Sequence, residues 1–224
     1  MTITHTLMFT AFPYICLTTF IVGHIYRYIT DRFGWNAHSS EFLEKKYLFY
    51  GSILFHTGII ATFMGHAGGL LVPQPLYDML GITAGMHTAI AHWNGLAVGL
   101  AAFVGVLLLV WRRLKQPRIK MVTTPTDKVL LAALAVVIGS GVYNVLFSQF
   151  DVLYNVAPWV RGIVTFTPDS TLMIEAPMSL QIHVISAWVL LAFSPFTRLV
   201  HIWSAPVFYL LRPFIIYRSR KGKV

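Results

Sequence analysis

An all-α bundle of five membrane-spanning helices is the fold class this chain predicts. Three patterns predict it: apolar runs of crossing length, basic residues confined to alternate connections, and histidines set inside the apolar runs. Of 224 residues, 56% are hydrophobic and 11% charged, with mean hydropathy +0.67, too apolar for an ordinary soluble domain. Crossing a bilayer takes about 20 apolar residues at ~1.5 Å each. Runs of that order lie at 7–26, 48–72, 84–111, 128–149 and 179–210. The whole chain, 1–224, reads as one integral-membrane domain. The first run has no Lys or Arg before Leu7 and no small-residue cleavage site after its apolar core, so it is expected to be retained rather than cleaved.

The basic residues orient the bundle. Arg27, Arg32, Lys45 and Lys46 lie in the first connection, and Arg112, Arg113, Lys115, Arg118, Lys120 and Lys128 in the third. Arg198, Arg212, Arg218, Arg220, Lys221 and Lys223 lie towards the C-terminus, and Arg161 alone falls in a connection of the opposite side. The positive-inside tendency then puts the N-terminus outside and the C-terminus in the cytoplasm. The net charge of +9 is accounted for by this inner face, which suits anionic membrane lipid or an acidic partner and calls for no nucleic acid.

An ionisable ring in hydrocarbon marks a functional site by default. His56 and His66 fall in the second run, and His183 and His201 in or beside the fifth. These two helices are antiparallel in the expected topology, so matching by depth pairs His66 with His183 towards the outside and His56 with His201 towards the inside. The rises do not match: about 15 Å separates the first two along a helix and about 27 Å the last two. Helix tilt, tilted cofactor planes and a kink at Pro195 are the available ways to absorb the difference. Two irons, each taking one imidazole from either helix, would satisfy all four rings. The single cysteine, Cys16, excludes covalent c-type haem attachment and an iron–sulfur site within this chain. Any haem would be b-type, and filled axial positions would suit electron transfer rather than oxygen activation. Gly51, Gly58, Gly65, Gly68 and Gly69 surround the second run's histidines; they admit a flat macrocycle or a closely packed helix. A transporter or membrane anchor whose histidines bind a metal or relay protons stays open at this point, although the chain has no repeated pair of interrupted spans and no membrane acid to couple protons.

The stretches SPFTRLVHIWSAP (residues 194–206), FHTGIIATFMGH (55–66) and SSEFLEKK (39–46) resemble the gamma subunit of the membrane-bound respiratory nitrate reductases, and the resemblance runs over nearly the whole chain. It implies a di-haem cytochrome b that oxidises quinol (menaquinol or ubiquinol), releases protons outside, and passes electrons to an iron–sulfur beta subunit and onward to a molybdenum-containing alpha subunit. It also implies His66 and His183 as axial ligands of a distal haem b, and His56 and His201 as those of a proximal one. A di-haem cytochrome b of another quinone-linked complex, of sulfite-reduction or heterodisulfide type, is the neighbouring reading.

Better-known members carry a quinol-associated lysine near the start of the third helix, and this chain has none there. Gly65, His66 and His87 are therefore the candidate quinol contacts, with His87 exchanging a proton. Arg112, Arg113 and Arg198 are candidate partners for haem propionates. His92 is expected to be a hydrogen-bonded packing residue, His24 to reach the interface, and His5 and His38 to be solvated. Trp35, Trp93, Trp111, Trp159 and Trp203 are expected in an interfacial belt. The 150–178 connection reads as a cover for the quinol entrance or as a structural lid.

Overall fold

The computed structural model describes residues 3–31, 34, 40–148 and 150–203. Among the described residues five helical spans are long and apolar enough to cross a membrane: α1 (Ile3–Thr30), α2 (Lys46–Leu71), α4 (Ala84–Lys115), α6 (Pro125–Phe147) and a fifth, Met178–Phe196, whose α-helical part is α8 (Met178–Phe193). Short helices α3 (Gln74–Met79), α5 (Pro117–Met121) and α7 (Ala157–Val164) lie in the connections. The spans begin and end where local chemistry dictates. Gln116 precedes Pro117 and is extended, as a residue before proline prefers, which separates α4 from α5. The α6 start carries a capping box: the Thr124 hydroxyl accepts from the Asp127 amide, and the Asp127 carboxylate accepts from the Thr124 amide, with Pro125 at the first helical position.

The fifth span differs from its expected extent of 179–210. The α-helix stops at Phe193, and the chain continues as two 3₁₀ turns, Ser194–Phe196 and Arg198–Ile202, separated by an extended Thr197. Pro195 therefore terminates the helix rather than kinking it, since it has no amide to continue the hydrogen-bond ladder. Residues 204–210 of the expected span, the tail's remaining basic residues, Arg32, Trp35 and His38 lie outside the described residues.

Among the spans, α2 packs on α4, α4 on α6, α6 on α8, and α8 on α1, an arc in which α2 and α8 are not packing neighbours. Two cores hold it. Phe55, Ala102, Val106, Leu130, Leu134 and Ile138 fill the space between α2, α4 and α6. At the other end Phe9, Val156, Trp159, Ile163, Met173 and Leu180 join α1, α7 and the start of α8. Ile15, Ile29, Phe63, Leu107 and Val136 remain exposed, as lipid-facing side chains do.

The 150–178 connection is thus a packed cap and not a loose loop. Trp159 is 1% exposed and its indole N–H donates to the Phe9 carbonyl at 2.8 Å, so it belongs to the core and not to an interfacial belt. The Tyr14 hydroxyl donates to the Ile163 carbonyl at 3.1 Å, and Arg161 reaches the Leu70 and Val72 carbonyls at the end of α2. His5 stacks near Phe9 with its Nε2 on the Met173 carbonyl at 3.2 Å, half-buried rather than solvated.

The α2 glycines divide by environment. A Cβ on Gly58 would land on the Ala102 backbone, and one on Gly105 of α4 would land on the Phe55 backbone, so these two residues set the α2–α4 approach. Gly51 likewise lies against Leu108 and Leu109, whereas Gly65 and Gly68 have nothing within 4 Å of that position. Gly58→Ala must separate two backbones that nothing else can relieve. It should cost about 1–3 kcal/mol, the usual range for overpacking, and lower the apparent Tm in detergent. Gly85→Ala, in open space at the start of α4, should leave Tm unchanged or raised.

Candidate functional site

The chain's local geometry decides which nitrogen of each histidine is available. On α2, His56 Nδ1 lies 2.8 Å from the Ser52 carbonyl and 3.1 Å from the Ser52 hydroxyl, one turn back along the helix. Six residues past the next turn, His66 Nδ1 makes the same bond, at 2.8 Å, to Thr62. His183 on α8 turns to α6, where Nδ1 meets the Val137 carbonyl at 3.0 Å and the Ser140 hydroxyl at 3.2 Å. His201 Nδ1 lies 2.6 Å from the carbonyl of Arg198. A carbonyl oxygen only accepts, so all four Nδ1 atoms carry a proton, and in each neutral ring Nε2 is the nitrogen with the lone pair. This is the second-shell arrangement that orients imidazole as a metal ligand and makes it more basic.

The rings then meet in twos. His56 and His201 have centroids 6.0 Å apart with planes at 64°, and His66 and His183 6.3 Å apart at 41°. Two imidazoles sharing one metal, with metal–nitrogen bonds of ~2.0–2.1 Å on either side and about 1.2 Å from each nitrogen to its ring centre, have centroids roughly 6.4 Å apart. Both pairs therefore fit one central metal each. Among the described residues no three of His, Cys, Asp or Glu gather as a self-contained ion site, so the histidines come as two pairs rather than a cluster. The surroundings fit a flat group. A Cβ on Gly141 would come 2.9 Å from His183 Cε1, so only glycine seats that ring, and the open positions of Gly65 and Gly68 leave the flank of His66 clear.

The break after Phe193 removes the mismatch in rise between the two helices. His201 is carried by a separate 3₁₀ turn rather than by ~27 Å of continuous helix, and so meets His56.

Near the His66 end, the His87 ring lies 4.9 Å from that of Tyr77 at 68°, and its Nε2 is 3.7 Å from the Cβ position of Gly69. The Tyr77 hydroxyl donates to the Gly68 carbonyl. Together they border the π-helical turn Ala67–Leu71 that follows His66. His92 is exposed against Trp93 and is not a packed residue. His24 Nδ1 bonds the Phe20 carbonyl at 2.9 Å, and its ring clusters with those of Phe20 and Trp203.

The arginines are engaged with protein. Arg112, 2% exposed, directs Nε to Glu44 Oε2 at 2.7 Å, Nη1 to the Ser40 hydroxyl, and Nη2 to the carbonyls of Ser40 and Glu44. It ties the loop before α2 to the end of α4, an occupation different from the expected propionate contact. Arg198 Nε and Nη2 reach Asp127 at 2.5 and 3.1 Å, and Arg113 Nη1 reaches the same carboxylate at 3.2 Å. Asp127 and the Val137–Gly141 seat were not singled out from the sequence, because Arg198 lies 71 residues from Asp127 and His183 lies 43 and 46 from Ser140 and Val137. Ser52 and Thr62, each four residues before a histidine on one helix, carried a readable signal.

The fold and the site together define a multi-pass helical membrane protein with two imidazole pairs, His56 with His201 and His66 with His183. The family model for the nitrate reductase gamma subunit matches residues 5–220. The chain is 44% identical over 212 residues to the nitrate reductase gamma chain of Bacillus subtilis, covering 93% of this chain and 95% of that one. It is 33% identical to the respiratory nitrate reductase 2 gamma chain of Escherichia coli, covering 94% and 95%. It is 39% identical to the nitrate reductase-like protein NarX of Mycobacterium tuberculosis over 97% of this chain, but over only 34% of that longer protein. The chain belongs to the nitrate reductase gamma subunit family. It is accordingly a membrane subunit of a respiratory nitrate reductase, an oxidoreductase assembled with other subunits. Subunits of this family are generally b-type cytochromes, in keeping with the paired imidazoles.

The Glu44 contact has a pH signature. Desolvation pushes its carboxyl up, but the amides of Tyr47 and Leu48 and the Arg112 guanidinium outweigh it and hold the group below its ordinary value of 4.5. A carboxyl with a depressed folded value contributes stability above its unfolded value and loses it as pH falls through the folded one. Glu44→Gln leaves a buried guanidinium without its counter-charge. It should lower stability by about 3 kcal/mol at neutral pH, and the variant's Tm should fall less than the wild type's on acidification below about pH 4.5.

Proposed function

We propose that this chain is the quinol-oxidising, di-haem cytochrome b subunit of its nitrate reductase, with His66 and His183 holding a distal haem b and His56 and His201 a proximal one. The observation that carries the reading is the pairing of four imidazoles, each with Nδ1 committed to a carbonyl, at ring separations suited to one metal. Haem held by these four histidines would supply one-electron redox chemistry between the two pairs.

The chain's own residues do the remaining work. The basic end, with the 112–128 connection, faces the cytoplasm, which places the N-terminus and the His66–His183 pair at the outer side. Quinol binds at this outer end against Gly65, where the absence of a side chain admits a ring beside His66. His87 accepts a hydroxyl proton from it, its ring braced by Tyr77, and the proton leaves to the outside. The cap formed by α7 closes over the end of α2 through Arg161 and limits water entry there. The basic inner face docks the iron–sulfur beta subunit, which connects to the molybdenum-containing alpha subunit. This chain reduces no nitrate alone.

Pyridine haemochrome analysis of the purified chain should give about two b haems per polypeptide, reducible by a quinol analogue. His56→Ala should remove chiefly the proximal haem and stop delivery to the partner subunits. His66→Ala should remove the distal haem and abolish quinol-dependent reduction. Two haems retained in both variants would defeat the ligand assignment.

A further inference from the structure

The proximal pair differs from the distal one in what holds it. His66 and His56 ride on α2, and His183 lies within α8, so helical hydrogen bonds fix each backbone. His201 instead sits on a five-residue 3₁₀ turn beyond the end of α8, with an extended residue before it. Such a turn has poor hydrogen-bond geometry and little stability of its own. Its position must come from elsewhere in the molecule.

Two buried or half-buried charges supply it from opposite sides. From α1, the Arg27 Nη1 donates to the Pro195 carbonyl at 2.7 Å and to the Thr197 carbonyl at 3.0 Å, the two residues that bracket the junction between the 3₁₀ turns. The Pro195 carbonyl lies in the junction where α8 has stopped, and Thr197 caps the start of the second turn. Gly23, one turn earlier on α1, lets Pro195 approach: a Cβ there would meet the proline ring at 3.0 Å. From α6, Asp127, 3% exposed, grips Arg198 through both carboxylate oxygens at 2.5 and 3.1 Å. The Arg198 carbonyl accepts the His201 Nδ1–H at 2.6 Å. Asp127 is itself fixed by the Thr124 amide at 3.0 Å and by Arg113 at 3.2 Å.

We infer that Asp127 and Arg27 are positioning residues for the proximal haem: they clamp the His201 turn from α6 and α1 and thereby set the orientation of its imidazole. Neither touches His201. Asp127 acts through the side chain and then the carbonyl of Arg198, and Arg27 through the carbonyls of Pro195 and Thr197. The inference rests on the proposed haem assignment and extends it to two residues that the ligand pattern does not include. Loosening a partner behind a metal-bound histidine commonly costs 10–100-fold in metal affinity. A clamp one residue further removed should act at the lower end, roughly tenfold.

The test uses the full chain in membranes with its partner subunits and compares wild type with Asp127→Asn, Arg27→Gln and His201→Ala. Haem is counted per chain, and each haem's midpoint potential and low-spin EPR signature are recorded. His201→Ala identifies which signature belongs to the proximal site. The distal signature then serves as an internal control for folding in every variant. Asp127→Asn and Arg27→Gln should leave the distal signature and potential as in wild type, while the proximal haem shows a shifted EPR signature and potential, or occupancy lowered severalfold. Wild-type signatures at both haems in both variants would overturn the clamp and leave the ligand assignment intact. Equal loss at the two haems, the mark of general misfolding, would also overturn it. A wild-type chain carrying no haem would remove the assignment and the clamp together.

Discussion

The bond from a histidine Nδ1–H to a backbone carbonyl is the interaction on which the interior depends. An imidazole in hydrocarbon needs a partner for its N–H and a use for its lone pair. Backbone supplies the first in all four cases: Ser52, Thr62, Val137 and Arg198. With the proton side fixed, each neutral ring keeps one donor nitrogen, and the rings pair between the histidine-bearing elements. The gap between α2 and α8 exists because the helices pack in an arc, α2–α4–α6–α8–α1, so that the two histidine-bearing helices oppose each other without sharing a packed seam. The near-touching backbones at Gly58 and Gly105 anchor one side of the arc, and the apolar core between α2, α4 and α6 keeps it from closing on the gap.

The end of the bundle with the basic connections is held by charge and the opposite end by aromatic packing. At the basic end Arg112 with Glu44, and Arg198 and Arg113 with Asp127, are ion pairs with at least one member almost wholly shielded. Each also makes hydrogen bonds to backbone or hydroxyl groups, which offsets the desolvation that burying a charge entails. Some basic residues in these connections stay at the surface, and a few are drawn inward as struts. At the opposite end Trp159, Phe9 and Ile163 form a small apolar core of their own, closed by the indole and phenol hydrogen bonds to backbone carbonyls.

The five spans and the pairing of the histidines were legible because each depends on local quantities: apolar run length, basic residues per connection, and depth along a helix. The 3₁₀ turns after Phe193 were not, since hydropathy stays high past Pro195 while the backbone departs from the helix there. Trp159 was misread for a similar reason. Its position in a connection looks interfacial, and only contact with Phe9, 150 residues away, makes it core. Arg112 and Arg198 carried a correct sign for an anionic partner, and protein carboxylates at Glu44 and Asp127 are the partners the fold supplies. Neither carboxylate lies near its arginine in the chain, so no spacing rule could pair them. The glycines of α2 looked uniform and proved to be of two kinds, distinguished only by what stands opposite.

The position of α1 at the end of the arc bears on how the molecule is made. α1 packs on α8, the fifth of these spans, and its Phe9 end packs on the cap that precedes α8, with Trp159 bonded to a residue 150 positions before it. The partners of α1 among these elements therefore follow α2, α4 and α6 in the chain. Assembly of the five-span arc is a closing event and not a stepwise accretion, because α1 is not packed into the bundle until the cap and α8 have entered the membrane beside it.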